Sequence, residues 1–313
     1  MGNTFFFAWE ISLMEALQSI ASPVAIALSD IYSFLGQSET MVAIIAIYYL
    51  GYDKKLGLQI GLNSIFGTVT NTLVKNVVCR RRPYFDHESI ECLVPVDKEY
   101  DAYDIKAQGW SFPSAHSTNS TIVPGTIYTY TKSKIALIIT IVLGLGVGIS
   151  RAIVGCHYPT DILVGWLQAI VMLIVMPIIY DKVPKKYLYP ALILISSVGL
   201  FYCTSNDYFS IYGLLYGLIA CDVFDSKVTH FKNTNNLIKI ILRIAFSAAI
   251  FLGLNTLLKL PFSTEFLENG TLLAGLIRTI RYFIASFAGF GLCPLIYKYN
   301  ILKLEDKNKQ DNK

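Results

Sequence analysis

Long apolar stretches separated by short polar breaks run through most of the chain, and their lengths are those of membrane spans rather than of core helices. A helical span needs about 20 apolar residues, with a range of about 17–25. The pattern predicts spans over 38–53, 55–78, 114–131, 134–150, 160–180, 187–204, 208–223, 237–260 and 271–298. A tenth stretch, 22–36, is short and contains Asp30, so a full span and a re-entrant piece both fit it. Before it, residues 4–20 place Phe6, Trp9, Leu13, Leu17 and Ile20 on one helical face, with Glu10 and Gln18 off that face. An in-plane interfacial helix suits this pattern. The plainer alternative is that Ser22 and Pro23 simply begin the next helix. The longest polar interval, 80–113, holds Arg80, Arg81, Arg82 and Pro83, followed by acids from Asp86 to Asp104. The predicted fold class is all-α, a polytopic transmembrane helical bundle.

Composition agrees. Of 313 residues 54% are hydrophobic and 15% charged, against about 25% charged in an ordinary soluble domain. These values exclude soluble, disordered and disulfide-scaffold classes. A net charge of +4, with no basic stretch interleaved for bases, excludes a nucleic-acid binder. Cys79, Cys92 and Cys156 lack any recognisable zinc spacing, so no metal site is expected. A Cys79–Cys92 disulfide and two small apolar residues at span ends are both open readings. The start, MGNTFFFAWE, has no basic residue before its apolar run, and position 6 is Phe. Neither a removable signal peptide nor a myristoylation signal is expected.

Lys and Arg in short loops set orientation. If 53–55 is cytoplasmic, alternation puts 132–134, 181–186, 225–236 and the polar tail 301–313 on the same side. Lys54, Lys55, Lys132, Lys134, Lys182, Lys185, Lys186, Lys227 and Lys232 then all lie inside. Loops 205–207 and 261–270 carry no Lys or Arg. The exception is 80–113, outside yet containing three consecutive arginines. A bound anion would explain it; a translocated loop that is merely charged is the alternative.

Three segments at span ends meet that outer face: KNVVCRRRP, FPSAHS and SRAIVGCHYPTD. They supply Lys75 and Arg82, then Ser114 and His116, then Arg151, His157 and Asp161. Singly, an Arg at a helix end usually snorkels. Together, ionisable groups at membrane depth are costly and usually functional. The set suits phosphoryl transfer, in which charge spreads over equatorial oxygens. Arg82 and Arg151 can fork onto phosphate, Lys75 adds a point charge, and the helix start at 114–116 offers free N–H donors. One histidine can attack phosphorus and the other protonate the leaving oxygen. Asp161, four residues after His157, can fix the imidazole tautomer.

The three segments resemble the tripartite signature of the PAP2 superfamily of integral-membrane phosphatases, K-x6-R-P, P-S-G-H and S-R-x5-H-x3-D. The matching residues are Lys75, Arg82 and Pro83; Pro113, Ser114 and His116; and Ser150, Arg151, His157 and Asp161. Ala115 stands where the signature has Gly; its backbone N–H supplies the same donor and its methyl adds slight crowding. The resemblance implies that His157 is the nucleophile, oriented by Asp161, and that His116 is the general acid and then base. It implies a phosphate held by Lys75, Arg82, Ser114, Ala115 and Arg151, with no metal and no cofactor.

It further implies a six-helix core over about 22–181, preceded by an N-terminal interfacial helix (1–21). About four additional C-terminal transmembrane helices (182–300) and a cytoplasmic polar tail (301–313) follow. The substrate expected is a membrane lipid phosphate, such as undecaprenyl pyrophosphate, phosphatidic acid or phosphatidylglycerol phosphate. The site would be on the extracytoplasmic face of a bacterial cytoplasmic membrane. A soluble phosphate ester or a phosphotransferase reaction is the alternative within the class, and a transporter the alternative outside it. A transporter pathway would use Lys75, Asp222, Arg243, Arg278 and Arg281, but no inverted repeat is detectable. The signature does not include Arg278 and Arg281. They share a helical face, and three readings fit them: an ion pair with an acid of a neighbouring span such as Asp30, upward snorkelling by Arg278, or an anionic-headgroup site.

Overall fold

In the computed structural model, which describes residues 2–299, the chain is helical throughout, with no strand among the described residues. Helices α1 (Ala8–Ser19) and α2 (Pro23–Leu35) are followed by α3 (Ser38–Ile47), which continues as a π-turn through Tyr52. Next come α4 (Lys54–Val78), the short α5 (Pro83–Asp86) and α6 (Ile105–Gln108), α7 (Ala115–Thr131), α8 (Lys134–Ile153) and α9 (Pro159–Lys182). The remainder is α10 (Lys185–Ser197), α11 (Asn206–Phe224), α12 (Leu237–Leu257), α13 (Thr264–Glu268), α14 (Leu272–Ser286) and α15 (Pro294–Lys298). Each apolar stretch of the sequence is thus a helix, and the class is the all-α membrane bundle expected. The polar tail 301–313 lies outside the described residues.

Five helical stretches among the described residues are long and apolar enough to cross a membrane: α8, α9, 206–229, α12 and 272–296. Helix α2 has 13 residues, about 20 Å at 1.5 Å per residue, short of the roughly 30 Å hydrocarbon core. It joins α1 at a bend of 117°. Helices α4 and α7 are less apolar because they bury polar side chains. Asn63, Ser64, Thr68, Asn71 and Thr72 of α4 are buried, as are the residues of α7 from Ser117 to Thr121. Thr68 donates to Asn119 at 3.1 Å, and Asn71 donates to Gln168 of α9 at 3.2 Å. Such interhelical polar contacts join helices where lipid offers no hydrophobic drive.

The chain divides into two compact units. The first comprises residues 1–41, 66–188 and 201–203; the second comprises 42–65, 189–200 and the chain from Thr204 onward. In the first unit, α7 packs between α8 and α9, and α1 and α2 pack on α8. Small residues permit this. An added Cβ on Gly165 would come within 2.6 Å of the Ser114 carbonyl oxygen, and one on Gly144 within 2.8 Å of Thr121 Oγ1. The opposite faces of α8 and α9 expose Ile138, Val142, Leu145, Leu163, Leu167 and Ile174, the composition a lipid-facing surface requires. In the second unit, α14 packs on α11 and α12.

Candidate active site

Helix α9 starts where its sequence dictates. Pro159 occupies the first helical position, where a missing N–H costs nothing. Asp161 Oδ2 accepts the Tyr158 N–H at 2.8 Å, half of a reciprocal capping arrangement. That bond holds the carboxylate next to the loop carrying His157. His157 Nδ1 lies 3.5 Å from Asp161 Oδ2, just beyond a hydrogen bond; such contacts in unliganded sites tighten on substrate binding. The other carboxylate oxygen, Oδ1, accepts from Arg80 Nη1 at 2.6 Å.

Helix α8 ends at Ile153, and Gly155 follows with φ +81°. There the chain turns in the left-handed region that favours glycine. The Arg151 carbonyl accepts both the Cys156 N–H at 3.1 Å and the His157 N–H at 3.2 Å. The turn therefore folds His157 back over Arg151. Arg151 is buried, and its Nε and Nη2 have no hydrogen-bond partner. An interior guanidinium left this way costs several kcal/mol in order of magnitude unless an anion meets it.

Helix α7 begins at Ala115, capped by Ser114, whose Oγ accepts from the Ser117 N–H at 3.3 Å. The Ser114 N–H is spent on the Asp161 carbonyl oxygen at 2.9 Å. This corrects the expectation that Ser114 offers a backbone donor: the free first-turn donors are those of Ala115 and His116. His116 lies within electrostatic range of Arg151, His157, Arg82 and Lys75.

Arg82 is buried and its fork is largely occupied. Nε and Nη2 donate to the Gln108 carbonyl at 2.9 and 2.5 Å, and Nη1 donates to the Cys156 carbonyl at 2.9 Å. Nη1 also stands 3.4 Å from His157 Nε2. Arg82 thus ties the two loops that flank the site while presenting charge to the imidazole edge that faces away from Asp161. Lys75 Nζ donates to the Trp110 carbonyl at 2.5 Å. Burial, then the charges of Arg82, Lys75 and Arg151, hold the His157 imidazole well below its usual value. The ring is therefore neutral at ordinary pH.

The other arginines of the run are neutralised internally. Arg80 pairs with Asp161 and Glu10, and Arg81 with Asp86. The arginine run therefore does not act as a single anion patch. Asp30 pairs with Lys98 at 2.8 Å rather than with Arg281. Arg281 donates to the Asn255 side chain at 3.0 Å, and Arg278 to the Leu267 carbonyl at 3.4 Å. Both belong to the second unit, whereas the histidines belong to the first. All six cysteines are free, so the Cys79–Cys92 bridge does not form.

Gln108 escaped the sequence reading. Buried, it accepts the Val96 and Asp97 N–H groups at 2.9 and 3.1 Å, and so holds the loop whose carbonyl anchors Arg82. No spacing rule marks it.

With this geometry in hand, comparison with known families decides the assignment. The PAP2 superfamily profile matches residues 56–185. A second profile, the transmembrane extension of PAP2 superfamily phosphatases, matches 209–305. The chain belongs to the PAP2 superfamily. It is a multi-pass membrane phosphatase of that superfamily, with the C-terminal extension. No match was found among curated proteins or among solved structures.

Proposed function

We propose that this PAP2 phosphatase hydrolyses the phosphate monoester or diphosphate of a membrane lipid through a phosphohistidine on His157. The buried Arg151, with two donors unpartnered beside the His157 turn, is the observation that carries the reading. The His157 Nε2 lone pair attacks phosphorus as the bond to the leaving oxygen breaks. His116 gives that oxygen its proton. Asp161 orients the ring through Nδ1 and stabilises its positive charge. Water then attacks the phosphohistidine and passes its proton to His116, and the P–N bond breaks to release phosphate. Lys75, Arg82 and Arg151, with the N–H groups of Ala115 and His116, meet the charge on the equatorial oxygens; Ser114 serves as the helix cap.

The positive charge this route needs comes from side chains, so activity is expected to persist in EDTA. The lipid substrate is inferred from a site built at helix ends in a membrane bundle; undecaprenyl pyrophosphate, phosphatidic acid and phosphatidylglycerol phosphate all fit it. The loop charges favour an extracytoplasmic site, and the resemblance to bacterial members of the family favours a bacterial cytoplasmic membrane. Phosphate release from polyprenyl, glycerol and sphingoid phosphates, assayed beside glucose 6-phosphate in EDTA, tests the class. Turnover of the lipids is expected. Turnover of the soluble ester alone would overturn the lipid reading, and activity restored only by added Mg²⁺ would overturn the metal-free route.

A further inference from the structure

Asp161 is held from behind by two residues outside the PAP2 signature. Arg80 is fully buried and divides its guanidinium between two carboxylates, Nη1 to Asp161 Oδ1 at 2.6 Å and Nη2 to Glu10 Oε2 at 2.9 Å. Its Nε donates to the Phe5 carbonyl at 2.9 Å, and its Nη1 also to Thr160 Oγ1 at 2.8 Å. The guanidinium carbon lies 3.7 Å from the centre of the Tyr158 ring. Glu10, on α1, is equally buried. Its Oε1 accepts both the backbone N–H and the hydroxyl of Thr160, at 3.0 and 2.6 Å, and its Oε2 accepts the Phe7 N–H at 2.8 Å. Arg80 Nη1 and Glu10 Oε1 both reach the first turn of α9, where Asp161 sits.

We propose that Glu10 and Arg80 are positioning residues for catalysis, and that the N-terminal helix α1 is part of the catalytic apparatus. The inference rests on the phosphohistidine reading above. The physical need is specific. A carboxylate steers an imidazole only if it stays ionised and keeps one orientation. Asp161 is fully buried, where an unpaired carboxylate loses its charge. Arg80 supplies the counter-charge and fixes Oδ1, which leaves Oδ2 for the histidine. Glu10 accepts from the second terminal nitrogen, which fixes the plane of the guanidinium and so the direction in which the first nitrogen meets Asp161. Neither residue faces the phosphate, so both act through Asp161.

The test is Arg80→Lys and Glu10→Gln in purified full-length protein, in detergent or nanodiscs. A lysine cannot bridge both carboxylates with a planar fork. Loss of the outer partner that orients a metal-bound histidine costs about 10–100-fold; a drop of that order in kcat is expected for each variant. KM and the inhibition constant for vanadate should stay within about threefold, because Lys75, Arg82 and Arg151 are untouched. In an Asp161→Asn background, neither substitution should lower kcat further, since residues acting through one group are not additive. Three results would overturn the proposal: wild-type kcat in both variants, KM and vanadate affinity weakened as much as kcat, or full multiplicative losses on top of Asp161→Asn. If Arg80→Lys fails to fold, Glu10→Gln decides alone by the same criteria. His157→Ala is run in parallel. If it turns over normally the phosphohistidine reading itself has failed, whereas a dead His157→Ala beside fully active Arg80→Lys and Glu10→Gln refutes only the positioning role.

Discussion

Two arginines of the site carry the same charge and do different work, and the difference can be measured. Arg151 keeps Nε and Nη2 free of protein acceptors, whereas Arg82 spends most of its donors on the Gln108 and Cys156 carbonyls. Arg151→Lys should therefore lower kcat/KM by about 10–100-fold, the equivalent of one charge-assisted contact of about 1.5–3 kcal/mol, with thermal stability in detergent almost unchanged. Arg82→Lys should lower both kcat/KM and the melting temperature, because the ties between loops go with the fork. Equal stability of the two variants would contradict the division. The depressed His157 basicity has its own consequence. Burial and three cations disfavour the imidazolium, so the ring should remain neutral as pH falls through the ordinary imidazole value of about 6.5 and protonate only below it. Nitrogen-15 NMR of labelled histidine in the detergent-solubilised protein at pH 6 should show a neutral His157; a protonated ring there would contradict the electrostatics. The residues of the signature were legible because fixed spacing along the chain delivers them together. Glu10, Arg80 and Gln108 were not, because their partners lie far away in sequence. Glu10 read as a polar outlier on an interfacial helix, yet it bonds to Thr160 across 150 positions.

At the scale of elements, the site depends on how closely α7, α8 and α9 approach. The turn after α8 is one tight point. Gly155 has φ +81°, and a Cβ there would lie 2.3 Å from the Glu91 carbonyl oxygen. Gly155→Ala combines a strained dihedral with that clash, so a loss above about 1 kcal/mol is expected. It should appear as a lower melting temperature accompanied by reduced kcat, since His157 is two residues on. An unchanged melting temperature would show that the turn relaxes freely. Apolar periodicity located the long helices and the short α2, because lipid-facing sides leave continuous hydrophobic runs; it missed α5, α6 and α13, which lie in stretches read as loops. It did not foresee that α4 and α7 bury polar strips against α9. A buried threonine or asparagine looks in sequence like a surface residue; only the facing helix shows its partner, as Gln168 does for Asn71.

For the whole molecule, the two compact units divide the tasks that the sequence could name from those it could not. The unit holding α7, α8 and α9 contains every residue of the signature. The other, with the family's transmembrane extension, holds Arg278 and Arg281, whose partners are Asn255 and the Leu267 carbonyl rather than an acid. Asp30, in the first unit, pairs with Lys98. The central claim, that the first unit transfers phosphate through one histidine, is tested most directly by trapping the intermediate. His116→Ala removes the base that activates water, so the phosphoenzyme should accumulate with a substrate whose leaving group needs no acid. Protein mixed with p-nitrophenyl phosphate, quenched in alkali and digested, should show phosphate on His157 by mass spectrometry, and none when His157→Ala is added. Phosphate on another residue, or normal turnover by the His157→Ala protein, would contradict the account.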